Sequence, residues 1–239
     1  LLLLFAFSLS TWSCRSSEEE TPAKNAVPGT AQSVVDSAVT RHGGERYDRM
    51  VAEFDFRKYH YKALRRGGAY IYERFFTDTL GNRYHDVLSN EGFYREVNGE
   101  RTELTAKDSS AYANSVNSVV YFALLPSFLN DPAAQKEYLG EETVKGEPYH
   151  KVGVTFRQEG GGKDHEDEFV YWFHQNDHTL DYLAYNYQTS GGGARLREAH
   201  NAREVNGIRF QDYHNYKPTD GSMEVATFAR KLEAGEMEL

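Results

Sequence analysis

Phe93-Tyr94-Arg95-Glu96-Val97-Asn98-Gly99-Glu100-Arg101-Thr102-Glu103-Leu104 reads as two short strands joined by a two-residue turn. Asn-Gly accepts the positive φ angles that a type I′ turn demands, and that turn matches the twist of antiparallel strands. The neighbouring segments repeat the style. Arg83 to Leu88 forms a strand behind the turn Gly81-Asn82, and Ala69 to Thr77 is bulky on both faces. Further upstream, Met50, Ala52, Phe54 and Phe56 alternate with Val51, Glu53, Asp55 and Arg57, the period of a half-buried strand. The first half of the chain is therefore expected to be an antiparallel meander.

The second half returns to the same pattern. Strands are expected over Tyr138–Val144, Tyr149–Phe156, Glu166–His174, Leu180–Gln188, Arg195–Val205 and Ile208–Tyr216, the last two joined by Asn206-Gly207. Helices frame and interrupt the strands. Ala31, Val34, Val35, Ala38 and Val39 recur at helical spacing behind Thr30 and stop at Gly43-Gly44. A longer helix is expected from Asp108 to Leu125, with Tyr112, Val116, Val119, Val120, Ala123 and Leu124 on one stripe and Pro126 as its end. A short helix is expected over Met223–Ala234, and the last four residues resume strand-like alternation.

Composition bounds the function. The chain has 239 residues and a formal net charge of −9, so a surface that tracks phosphate backbones is disfavoured and nucleic acid is not expected as a partner. Aromatic residues make up 14%, with 17 Tyr and 14 Phe, which suits strands. The single cysteine excludes an internal disulfide and a thiolate metal site. No cofactor is expected.

That cysteine ends a distinctive stretch. Residues 1–13 carry no charge and are mostly apolar, and Cys14 is followed by Arg15-Ser16-Ser17-Glu18-Glu19-Glu20. The run is too short to span a bilayer, which takes roughly 20 apolar residues. It reads as the end of a secretion signal, with Cys14 as the lipid-attachment point. Thr11-Trp12-Ser13-Cys14 resembles a bacterial lipobox. Thr11 stands where Leu is usual, which leaves ordinary cleavage with a free thiol open. The expected organisation is a signal segment over 1–14, a flexible linker over 15–29, and one domain over 30–239 that continues past the last residue given. The expected address is the bacterial cell envelope, by a lipid anchor on the outer membrane, facing periplasm or exterior.

The order of helix, meander, central helix and meander resembles the LolA/LolB-like lipoprotein-carrier fold. Lys145-Gly146-Glu147-Pro148-Tyr149-His150-Lys151-Val152, Asp164-His165-Glu166-Asp167-Glu168-Phe169 and Gly207-Ile208-Arg209-Phe210-Gln211-Asp212-Tyr213 are similar to a family of bacterial envelope lipoproteins assigned that fold, a family with no settled activity. The resemblance implies an α+β protein: a strongly curved antiparallel sheet, an incomplete β-barrel, with covering helices. It also implies an apolar ligand (a lipid, an acyl chain or a lipoprotein) in the concave face. Candidate cover residues are Tyr112, Val116, Val119 and Val120, and candidate lining residues are Phe54, Phe56, Tyr171, Phe173 and Tyr185.

Two alternatives stand beside this reading. Asp164-His165-Glu166-Asp167-Glu168 supplies five consecutive side chains with metal-ligand atoms, so His165, Glu166, Asp167 and His200 are candidates for a metal-assisted hydrolase or lyase. Successive side chains on a strand face opposite ways, so the segment equally reads as a polar strand start paired with Arg195, Arg197 or Arg203. The third reading is an accessory subunit whose aromatic face is covered by an envelope protein partner.

Overall fold

Two antiparallel meanders carry the chain. The structure is a computed structural model that describes residues 30–157, 167–188 and 191–239; residues 1–29, with the apolar run and Cys14, and also His165 and Glu166, lie outside them. Helix α1 (Ala31–His42) leads through a 3-10 turn (Gly44–Asp48) into the first sheet: β1 (Arg49–Phe56), β2 (Tyr59–Arg66), β3 (Ala69–Thr77), β4 (Arg83–Ser89), β5 (Gly92–Val97) and β6 (Glu100–Arg101). Helix α2 (Ala106–Ala123) and a second 3-10 turn (Ser127–Asn130) cross to the second sheet: β7 (Ala134–Val144), β8 (Glu147–Phe156), β9 (Phe169–His174), β10 (Leu180–Tyr187), β11 (Gly193–Val205) and β12 (Ile208–Pro218). A 3-10 turn (Val225–Thr227), α3 (Phe228–Glu233) and β13 (Met237–Glu238) close the described chain. Each sheet follows sequence order, with β13 added beside β12.

Local chemistry explains most boundaries. The Thr30 hydroxyl caps α1 by accepting from the Ser33 amide at 3.3 Å. Thr105 caps α2, accepting from the Asp108 amide at 3.1 Å and donating to the Asp108 carboxylate at 2.7 Å. Asn98 and Gly99 adopt φ 56° and 91°, and Asn206 and Gly207 adopt 49° and 78°, so both Asn-Gly pairs turn as their chemistry demands.

Several details depart from the sequence expectation. Strand β2 carries no turn signal before it, because Arg57 rather than Gly or Asn takes the positive φ of 58°. β6 ends at Arg101, not Leu104, since Thr105 is already committed to capping α2. β9 starts at Phe169 rather than Glu166. The expected helix over 223–234 is divided into a 3-10 turn and a six-residue α3.

The architecture is α+β, an antiparallel sheet system curled as an incomplete barrel with few helices. Register shifts in β7–β8 between Tyr138 and Gly140, in β9–β10 between Leu180 and Tyr182, and in β11–β12 between His200 and Arg203 supply bending points. An extra residue on one strand increases local twist and bend.

Three apolar clusters hold the layers together. The first packs α1, through Val34, Val35 and Ala38, on Val152, Val154, Tyr171, Phe173 and Leu183 of the second sheet. The second covers the opposite face of that sheet, where Phe228 and Ala229 of α3 meet Val170, Trp172, Tyr182 and Leu196. The third packs Val116 and Val120 of α2, and Leu124 just past its end, on Tyr61, Ala63 and Tyr72 of the first sheet, with Ile208 of β12 joining it. Each fully buried aliphatic side chain contributes about 1.5–3 kcal/mol.

Candidate functional site

Helix α2 works on two sides. Its valine side lies against the first sheet, while Asn117, Ser118, Tyr121 and Phe122 turn toward a gap between the sheets. The helix is fixed over the first sheet by a buried charge cluster. Asp86 is fully buried and accepts from Arg74 Nε and Nη2 at 2.8 and 2.5 Å, and from Arg95 Nε and Nη2 at 2.6 and 2.9 Å. Arg74 Nη1 also donates to Ser115 of α2 at 2.7 Å, and the Arg95 guanidinium lies 3.7 Å from the ring centre of Tyr112. Two guanidiniums on one carboxylate are held by charge-assisted hydrogen bonds, which are roughly twice as strong as neutral ones.

The gap is a cavity of about 490 Å³. Tyr70 and Tyr72 of β3 form one wall, Tyr121 and Phe122 of α2 form the roof, and Phe156 and Phe169 of β8 and β9 form the other wall. Arg65, Phe128, Asn90 and Asp131 stand around it. Binding cavities for small molecules span about 300–1,000 Å³ and are mostly apolar with a few placed polar groups. Burial pushes the Tyr72 hydroxyl up to about 12, so it is a neutral donor and acceptor at ordinary pH. The Tyr121 and Tyr171 hydroxyls meet at 2.8 Å, tying the roof to the second sheet. A wider hollow of about 810 Å³ lies at the strand ends of the first sheet, beside Tyr59, Phe76, Tyr84, Arg57 and Arg83. It is more open to solvent and no helix roofs it, so the smaller cavity is the better ligand site.

The residues singled out from sequence fall around this cavity rather than on its lining. Val116 and Val120 are fully buried under α2, and Val119 packs against the same cluster. Tyr112 covers Arg95, Phe54 stacks on Tyr61 at 5.4 Å, and Phe56 is 43% exposed. Tyr171 and Phe173 are buried in the α1 cluster. Tyr185 packs on Phe122 at 5.2 Å and accepts from Arg197 at 3.0 Å, so it supports the roof from behind. The lining pairs Tyr70 with Tyr72 and Tyr121 with Phe122 were visible as aromatic residues. Which side of α2 faces the gap depends on where the second sheet sits.

Of the acidic run and its partners, Asp167 and Glu168 precede β9, and Asp167 is buried. The Glu168 amide donates to Asn186 Oδ1 at 2.9 Å, and Asn186 returns a hydrogen bond to the Glu168 carboxylate at 3.1 Å. His200 is exposed and stacks on His214 with ring centres 4.0 Å apart. Pairing of Phe169 with Tyr185 and of Glu198 with Tyr182 puts Asp167 and His200 at opposite ends of the strands, roughly 20 Å apart at 3.3 Å per residue. Among the described residues, no group of three or more His, Cys, Asp or Glu side chains is placed to hold a metal ion. Arg203 pairs with Asp212 at 3.1 Å, while Arg197 goes to Tyr185.

A protein-family model described as a family of unknown function, DUF6503, matches residues 24–239. The chain belongs to the DUF6503 family. No curated protein matches this DUF6503 chain. Among solved structures it is similar to a LolA superfamily protein from Nitrosomonas europaea, at 12% identity and a TM-score of 0.45, covering 75% of this chain and 81% of that one. It is also similar to a DUF1329 family protein from Desulfovibrio piger, at 14% identity and a TM-score of 0.45, covering 76% and 83%. A third is the Pseudomonas aeruginosa MucA/MucB complex, at 16% identity and a TM-score of 0.26, covering 68% of this chain and 54% of that one. The fold of the DUF6503 chain rests on its own strand order and packing.

Proposed function

We propose that this DUF6503 protein is a lipid-anchored cell-envelope protein that holds a hydrophobic ligand in the cavity between α2 and the two sheets. The observation that carries the reading is the 490 Å³ space itself, walled by Tyr70, Tyr72, Phe156 and Phe169 and roofed by Tyr121 and Phe122. The apolar run over 1–13 and Cys14 support the envelope address. In this reading attachment is through acyl chains on Cys14. No helix among the described residues is long and apolar enough to cross a membrane.

A cavity-filling substitution tests the binding. Ser118 faces the gap from α2 and is only partly buried, so Ser118→Trp occupies the space without removing a core side chain. The expected result is binding of a fluorescent fatty acid by wild type but not by the variant, with similar melting temperatures. Native mass spectrometry that finds the wild type always empty, together with no response to the fluorescent probe, overturns the reading.

A further inference from the structure

We propose that the ligand of this cavity is an anionic amphiphile, an apolar tail ending in a carboxylate or phosphate, and that Arg65 binds its head. The inference rests on the cavity reading above and adds the class of ligand. The whole chain is acidic, with 36 Asp and Glu against 27 Lys and Arg. The interior around the cavity is not. Arg74, Arg95, Arg203 and Arg230 have carboxylate partners, but Arg65 and Arg197 form no ion pair among the described residues.

Arg65 lines the cavity and is half-buried. Its Nη1 donates to the Ser127 hydroxyl at 3.3 Å, and its guanidinium lies 4.9 Å from the ring centre of Phe128, another lining residue. Arg197 stands behind the roof, 3.6 Å from the ring centre of Phe122, and its Nε is buried with no hydrogen-bond partner among the described residues. Both cations are thus held by ring faces and neutral hydroxyls. An aromatic face attracts a cation, but weakly next to a carboxylate or phosphate, which a guanidinium grips through two parallel N–H donors. A partly desolvated cation without a counter-ion favours an arriving anion.

One acid stands at the rim, Asp131. It is exposed, and its Oδ1 accepts from the Ala133 amide at 2.8 Å, so it serves the turn that starts the second sheet. If it instead selected the ligand, a cationic head would be preferred, and the same titration separates the two.

The test is a displacement titration of the purified protein with dodecanoate, dodecyl phosphate, dodecanol and dodecylammonium, each kept below its micelle threshold. The anionic probes are expected to bind about tenfold or more tighter than dodecanol, with that gap narrowing as salt rises. Comparison of dodecanoate with dodecyl phosphate identifies which anion the fork fits. Arg65→Gln is expected to collapse the gap by weakening the anionic probes at least about tenfold more than dodecanol, and Arg65→Lys to keep part of it. Equal binding of acid and alcohol by wild type, a preference for dodecylammonium, or a gap that survives Arg65→Gln overturns the role of Arg65 while the cavity reading stands. Failure of all four probes overturns both. The salt series on wild type keeps the test decisive if a variant folds poorly.

Discussion

His42 shows how much a single position in the last turn of α1 must satisfy. Its ring is fully buried, Nε2 accepts from the Leu180 amide at 3.1 Å, and Nδ1 is buried with no hydrogen-bond partner among the described residues. Burial, reinforced by the charges of Arg209 and Arg41, pushes the pKa down from an ordinary 6.5 to about 3. The folded protein therefore keeps His42 neutral while the unfolded chain takes up a proton below pH 6.5. Stability from this group is fully present above about pH 6.5 and is lost as pH falls toward 3. Each pH unit in that window costs at most about 1.4 kcal/mol. Urea denaturation at pH 7, 6, 5 and 4 is expected to show a steeper loss for wild type than for His42→Gln, whose amide oxygen can still accept from Leu180. Parallel pH profiles for the two proteins would show that the ring is not kept neutral. By sequence alone, Arg41 and His42 in the last turn read as a favourable positive end for the helix dipole. Burial reverses that reading for His42, and only the tertiary contact with β10 shows it.

At the scale of elements, α2 is the piece on which the cavity depends. Residues 109–130 carry no charge, but Ser109, Ser110, Asn114, Ser115, Asn117 and Ser118 make that part of α2 too polar to read as a membrane span. The structure explains those hydroxyls: Ser115 meets Arg74, and Thr105 starts the helix. Thr105→Ala removes the cap and is expected to cost about 1 kcal/mol of stability, measured as a shift in the urea midpoint. A cost below about 0.3 kcal/mol would mean that the first turn is frayed in the native protein. The valine stripe was legible in the sequence because it follows helical spacing. The roof of the cavity, Tyr121 and Phe122, was not assigned, because an aromatic pair at the end of a helix serves equally well as core or as lining. Strand β2 was missed for a related reason: its alternation of Tyr59, Tyr61 and Ala63 with His60 and Lys62 is regular, but the turn into it has no glycine or asparagine.

For the whole molecule, the proposed tether and the cavity are separate devices, and each is tested by itself. Acyl chains add roughly 0.8 kcal/mol of membrane affinity per buried methylene, so the proposed anchor on Cys14 needs two or more chains to hold the protein at the membrane. Cells fed an alkyne-tagged fatty acid are expected to label the wild type and to leave Cys14→Ser unlabelled and free of the detergent-rich phase. Label retained on Cys14→Ser would remove the anchor from the proposal. The sequence by itself determined the meanders, the central helix and the greasy segment ahead of Cys14, because side-chain period, turn chemistry and charge-free runs are local properties of the chain. Only the tertiary structure decided that Phe54, Val116 and Tyr171 pack away from the cavity while Tyr72, Phe122 and Phe169 also line it, and that Arg65 stands there with no ion pair among the described residues. A cavity belongs to no single segment. It is what remains when two curled sheets and a helix meet, and its walls come from residues as far apart in sequence as Arg65 and Phe169.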